Sequence, residues 1–442
     1  LVLTGSLIAG VPQVGAEDWP HWMGARHDGV WHETGTLQEW PAVDPPVRWR
    51  VEAGIGYAGP AVAAGRVFVM DRIPAEPVEG GEAPPRGATR GNERIRCLDA
   101  TTGAELWRHA YEREYRISYP EGPRTTPLVD GDKVYTLGAM GDLICFEAAT
   151  GRIEWQRQLA EEYGVPPMVW GFSAHPRIAG DRLFVLVGGE GSGVVCLDKR
   201  TGEERWKGVT AEEIGYAPPV LVERAGREHL IVWHDLAVRC LDPDSGAERW
   251  SVPFPDKPAP PRPVVTIATP IVLESRVLVS DFYHGTAAIE VDWQADRASI
   301  AWRSAIDDDR HADDLNALMA TPIVRGEHLY GVAGNGELRC LKLADGSFVW
   351  RDLTPTGERP AFFATAFLVP AGDRCWLFND QGALILAKLS PEGYDELGRM
   401  QLLEPTGFAR GRNIVWSHPA FADRCCFARN DKEIVCVDLS AG

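Results

Sequence analysis

The chain has 442 residues, 45% of them hydrophobic, with 63 acidic against 45 basic side chains and a net charge of −18. A surface of that sign repels phosphate backbones and no basic stripe interrupts it, which excludes nucleic acid as a partner. No apolar run reaches about 18 residues, so no membrane-spanning helix is expected.

Residues 1–11 (LVLTGSLIAGV) are apolar, and Val14-Gly15-Ala16 has the form of a cleavage site. Residues 1–16 read as the rear of a secretory signal, which predicts an exported chain, periplasmic or otherwise extracytoplasmic, that begins near Glu17. Residues 17–50 then carry Trp19, Trp22, Trp31, Trp40 and Trp49, the last inside a strand-like VRWRV.

From residue 97 one eleven-residue unit recurs: 97–107 (CLDATTGAELW), 145–155 (CFEAATGRIEW), 196–206 (CLDKRTGEERW), 240–250 (CLDPDSGAERW) and 340–350 (CLKLADGSFVW). Each reads as a strand, a tight turn and a second strand closing on Trp. Repetition every fifty residues or so means an array of small sheets. Each unit follows a strand opened by a small residue and Pro, then a Gly-Asp type turn, which makes four antiparallel strands. Openings at Pro60, Pro127, Pro176, Pro219, Pro270, Pro322, Ala366 and Pro419 predict eight blades. Repeats five and seven are degenerate: 291–296 (VDWQAD) replaces the turn before Trp302, and no Trp follows 389–393 (LSPEG). The eighth repeat ends where its last strand should begin, and the strand around Trp49 is left over. Pairing the two would close the ring and remove two exposed edges. The expected fold is an all-β, eight-bladed propeller in one domain, 17–442.

Cys97, Cys145, Cys196, Cys240, Cys340 and Cys436 share one repeat position. Such positions in different blades lie beyond the roughly 7 Å between Cα atoms that a disulfide needs, so buried thiols are expected. Cys425 and Cys426 fall on a strand and read as two more buried small residues. The stretch 74–92, rich in Pro, Gly and Glu, reads as a solvated loop. Long connections at 108–123, 156–172, 251–266, 303–318, 351–362 and 400–416 crowd one face, where binding sites on rigid scaffolds usually lie.

Asp198, Thr201, Gly202 and Trp206, with their repeats, resemble the tryptophan-docking motif of the pyrroloquinoline-quinone-like (PQQ-like) propeller family. The resemblance implies that Trp49, Trp107, Trp155, Trp206, Trp250, Trp302 and Trp350 pack between adjacent blades. One branch of that family holds quinone-dependent alcohol and sugar dehydrogenases, with PQQ and calcium. The other, BamB-like branch is non-catalytic, and this chain is closest to it in build: it is short for a dehydrogenase and lacks a clear match to the calcium and base pattern.

Residues just before each opening strand should ring the channel mouth: Tyr57, Arg124, Phe172, His175, Tyr216, Asn316, Phe363, Trp416 and His418, with Trp170, Arg412 and Asn413 from the long loops. Aromatic and His side chains there could hold a flat ligand or an extended peptide, or simply pack the channel. The acidic run 307–314 (DDDRHADD) lacks the spacing of a calcium loop and reads as solvated. No catalytic residue, metal site or cofactor is predicted. The expected function is an exported, monomeric scaffold that binds a protein, peptide or small ligand on its long-loop face. The alternative is a PQQ-dependent alcohol or sugar dehydrogenase.

Overall fold

The computed structural model describes residues 16–76, 88–255, 263–304 and 314–441. Residues 1–15 of the expected signal segment and most of the acidic run lie outside them. Among the described residues there are eight four-stranded antiparallel sheets and one two-stranded hairpin. They form an eight-bladed propeller. Blade one, Ala61–Ala63, Arg66–Pro74, Thr89–Asp99 and Glu105–Tyr115, pairs its strands in sequence order, and blades two to seven repeat that order. In blade eight, Val47–Glu52 pairs with Glu433–Asp438, placing Trp49 opposite Cys436 as Trp107 stands opposite Cys97.

Three stretches depart from expectation. Pro74 pairs with Gly91, so strand pairing extends into both ends of the 74–92 loop. Residues 108–115, expected within a connection, continue the outer strand of blade one. The connection 400–416 folds partly into a hairpin, Gly407–Ala409 with Arg412–Ile414. In each case backbone pairing satisfies N–H and C=O groups that polar composition alone does not predict. All nine cysteines are buried and free.

The motif tryptophans join blade to blade. Trp49, Trp107, Trp155, Trp206, Trp302 and Trp350 donate their indole N–H to the carbonyls of Ala100, Ala148, Lys199, Pro243, Leu343 and Ser390 on the next blade, at 2.9–3.1 Å. The ring covers the motif glycine: at Gly151, where φ is +73°, a Cβ would stand 2.5 Å from Trp107. A side chain there would meet both the indole and a left-handed backbone, which accounts for Gly at this place. Trp250 differs, because the longer outer strand pair of blade five, Gly285–Asp292 with Arg297–Arg303, carries Trp293 against it, ring centres 6.4 Å apart.

Blade seven solves its missing tryptophan another way. Gly398 stands opposite Leu386, the register of every motif Trp. Trp40, from the segment before blade one, fills the space: a Cβ at Gly398 would lie 2.1 Å from the Trp40 ring. The Leu37 N–H donates to Leu439 O at 2.9 Å, the carbonyl position that takes an indole on other blades. Residues 17–46 thus form a strap across the face of the Gly-Asp type turns. Asp18 accepts from Ala64 N–H, Glu33 from Arg424 N–H, and Pro20 O from Val129 N–H.

A polar seam joins blades eight and one. Arg429 is fully buried and donates to Met70 O at 2.7 Å and Gly54 O at 2.6 Å. Buried Asp71 accepts from Gly54 N–H at 2.8 Å and from Arg94 through two contacts of 2.7 Å.

Candidate functional site

The long connections converge on one mouth of the central channel, around a cavity of about 420 Å³. Its wall is aromatic. Trp416 meets Tyr57 and Tyr119 at 6.0 and 5.5 Å between ring centres, Trp170 meets Tyr216 at 5.1 Å, and Phe282 meets Phe363 at 5.8 Å. Val265, Ile267, Leu318 and Met319 add apolar surface.

Two guanidinium groups sit over this wall. Arg124 lies 5.2 Å from the Tyr57 ring centre and is held by the carbonyls of Ser118, Tyr119 and Gly122. Arg410 lies 4.6 Å over Phe363 and is exposed. Among the described residues it has no ion pair or hydrogen bond. Stacked in this way, the Arg410 guanidinium keeps its fork free for a carboxylate, whereas that of Arg124 is engaged by backbone. Behind the wall, Tyr57 donates to Glu121, whose carboxyl is pushed up by burial against the pull of that hydroxyl. Among the described residues that line the cavity there is no carboxylate.

The floor is closed. Trp22 of the strap stacks flat on His175, ring centres 4.6 Å apart, and edge-on to His418 at 4.4 Å. His175 Nδ1 accepts from Thr126 N–H at 3.0 Å, and His418 Nε2 shares a 2.6 Å hydrogen bond with the Thr126 hydroxyl. Burial pushes His418 down to about 3 and His175 well below its ordinary value. Both are neutral at pH 7 and serve as packing. Among the described residues, this packing blocks the strap side and leaves the loop face for a ligand's approach.

Of the residues expected at the mouth, Tyr57, Arg124, Trp170, His175, Tyr216, Phe363, Trp416 and His418 line the cavity. Four stand apart from it. Phe172 is buried against Gly141 between blades. Asn316 turns inward and donates to Phe282 O at 3.0 Å. Arg412 pairs with Asp380 at 2.5 Å, and Asn413 lies exposed in the short hairpin, opposite Phe408. Alternation along that hairpin, with φ of +51° at Arg410, sends Arg410 rather than Arg412 to the cavity. Tyr119, Phe282 and Tyr283 also line it unannounced; Tyr119 lies in a long connection, whereas Phe282 and Tyr283 sit in the short turn between Arg276–Asp281 and Gly285–Asp292, which carries no signal in the sequence. Trp22 had none, since it arrives from the opposite face.

Asp380 makes one pH effect testable. Burial pushes its carboxyl up to about 6, against the pull of Arg412 and the Thr365 N–H. The folded protein keeps that proton to about pH 6, the unfolded chain only to about pH 4. Stability from this group is thus full below pH ~4 and falls as pH rises through the window, by about 2–3 kcal/mol. Urea titrations at stepped pH should show that slope in the parent and a flatter one in Asp380→Asn; equal slopes would refute it.

An eight-bladed propeller whose blades are joined by repeated motif tryptophans is a PQQ-like propeller. The family described as outer membrane protein assembly factor BamB matches residues 91–352 and 235–442, and the chain belongs to that family. BamB of Yersinia pestis is 24% identical over 264 residues, 59% of this chain and 64% of its own. With the BamB proteins of Alteromonas naphthalenivorans and Shewanella oneidensis included, the matched part spans 54–65% of the curated relatives' length. Among solved structures, BamB from Moraxella catarrhalis superposes with a TM-score of 0.55 at 14% identity, covering 89% of this chain and 99% of that one. Quinohemoprotein alcohol dehydrogenase from Comamonas testosteroni gives 0.63 at 12%, covering 96% and 81%. At such identities the likeness is one of fold alone.

The dehydrogenase fold raises a fit question. Calcium takes six to eight oxygen ligands, mainly carboxylates, amides and carbonyls. The described cavity wall offers Arg, His, Ser and aromatic side chains, and among the described residues no cluster of three His, Cys, Asp or Glu could hold a metal. This donor set does not fit calcium beside a quinone.

Proposed function

We propose that this chain is an exported, monomeric, non-catalytic scaffold that captures a segment of a partner polypeptide in its loop-face funnel. The name of its relatives supports a role in outer membrane protein assembly and, with it, an extracytoplasmic location. Among the described residues, no helix is long and apolar enough to cross a membrane. The observation that carries the reading is the charge of the funnel. In a chain of net charge −18, the described lining holds Arg124 and Arg410 and no carboxylate. That complements an apolar or aromatic segment bearing an acidic group. Val169 and Phe362, 39% and 53% exposed, extend apolar surface at the rim.

A photocrosslinking residue at Phe362 should capture the partner in the exported fraction, and one at Val43 on the strap should not. Arg410→Glu should cut the yield about tenfold, the worth of one charge-assisted contact. Equal capture from both positions, or indifference to the charge reversal, would overturn the reading. The dehydrogenase alternative is tested separately, by calorimetry with PQQ and calcium followed by alcohol-dependent dye reduction. Tight binding with turnover would replace the scaffold reading.

A further inference from the structure

We infer that the underside of the channel carries a second binding site, for a small monovalent inorganic anion of about chloride size, centred on Arg177. This site lies on the strap face, beneath the plug, and is independent of the funnel. A cavity of about 30 Å³ there is lined by His21, Trp22, His27, His175, Arg177 and Thr269, among others. Arg177 opens the inner strand of blade three, Arg177–Ala179. Its Nε and Nη1 atoms are buried and have no hydrogen-bond partner among the described residues.

The surroundings favour an anion over a missing protein partner. No carboxylate is among the described residues lining the cavity. The nearby acidic group, Asp130, is already taken by Lys199. Thr269 Oγ1 accepts the Trp22 indole N–H at 2.9 Å, which leaves its own hydroxyl proton to donate. The His21 and His27 rings stack at 3.6 Å and form one wall. His21 Nδ1 donates to Trp22 O at 3.1 Å, and burial pushes this imidazole down to about 4, so it is neutral. The positive charge of the pocket therefore rests on the lining residue Arg177, with the Thr269 hydroxyl able to donate beside it. The volume admits a single ion or one to two water-sized groups, and excludes organic anions.

Such an ion would tie two separate elements together. Arg177 and Thr269 belong to blades three and five, while Trp22, His21 and His27 belong to the strap. Occupancy should hold the strap down on the propeller.

Two measurements test this on the whole protein. Arg26, in the strap, has a side chain 48% exposed and offers a trypsin site. At constant ionic strength, exchanging gluconate for chloride should slow cleavage after Arg26 several-fold, and in Arg177→Gln the two salts should give one rate. A chloride effect that persists in the variant would overturn the proposal, as would its absence from the parent. Should the variant not fold, crystals of the parent soaked in bromide decide the matter. An anomalous peak within hydrogen-bonding reach of Arg177 Nε or Nη1 supports the site. Peaks elsewhere with only ordered water at Arg177 refute it.

Discussion

Trp40→Ala is expected to lower stability by about 2–3 kcal/mol, below the ~3–5 of a fully buried tryptophan because this ring is half-buried. Gly398→Trp alone should also destabilise, by roughly 1–3 kcal/mol, since the new side chain would collide with Trp40. The two together should recover most of the loss. Gly398 has the register of a motif tryptophan and no positive φ, so an indole placed there can enter the space Trp40 vacates. A double-mutant cycle by urea denaturation reads the coupling directly. If the double variant is no more stable than Trp40→Ala, the strap ring is not standing in for the seventh motif residue.

The second large effect is expected at the seam. Arg429→Met should cost about 3–5 kcal/mol, the range for removing one member of a buried charged network. The guanidinium, rooted in blade eight, holds the carbonyls of Met70 on blade one and of Gly54 in the connection between the two blades, with Asp431 3.9 Å away. Removing it strands two carbonyls and leaves Asp71 and Asp431 with less positive charge. Arg429→Lys should lose more than half as much, because an ammonium lacks the planar fork that reaches both carbonyls. Thermal and urea unfolding of the two variants check this; a loss under about 1 kcal/mol for Arg429→Met would mean that blade packing alone holds the seam.

The blade architecture was legible because it is periodic. Cys and Trp recur at fixed offsets, and in the structure they face each other across one strand pair, Cys196 opposite Trp206 and Cys340 opposite Trp350. The partner of the Trp49 strand was legible from a missing element, the last strand of blade eight. The role of Trp40 was not, because nothing periodic links it to Gly398; the two meet only once the ring exists. The funnel was half legible. Residues anchored next to an opening strand, such as Tyr57 and Tyr216, inherit their direction from that strand. Residues set by local backbone, such as Arg410 at φ +51°, do not. Asn316 shows the same limit, since a polar side chain at the mouth turned inward to satisfy Phe282 O.

The strand Val47–Glu52 also has a history in time. It leaves the ribosome roughly 380 residues before its partner Glu433–Asp438. At translation rates of about 5–20 residues per second, its edge waits on the order of 20–80 s for a mate. Its sequence suits that wait: Arg48, Arg50 and Glu52 alternate with Val47, Trp49 and Val51, so one face of the lone strand is charged and a poor template for foreign pairing. The strap rests on the same timetable, because the Leu439 carbonyl that receives Leu37 directly follows the strand Glu433–Asp438 of blade eight. The first segment of the propeller to be synthesised is thus among the last to be seated, and assembly of the ring is an act of completion by its oldest part.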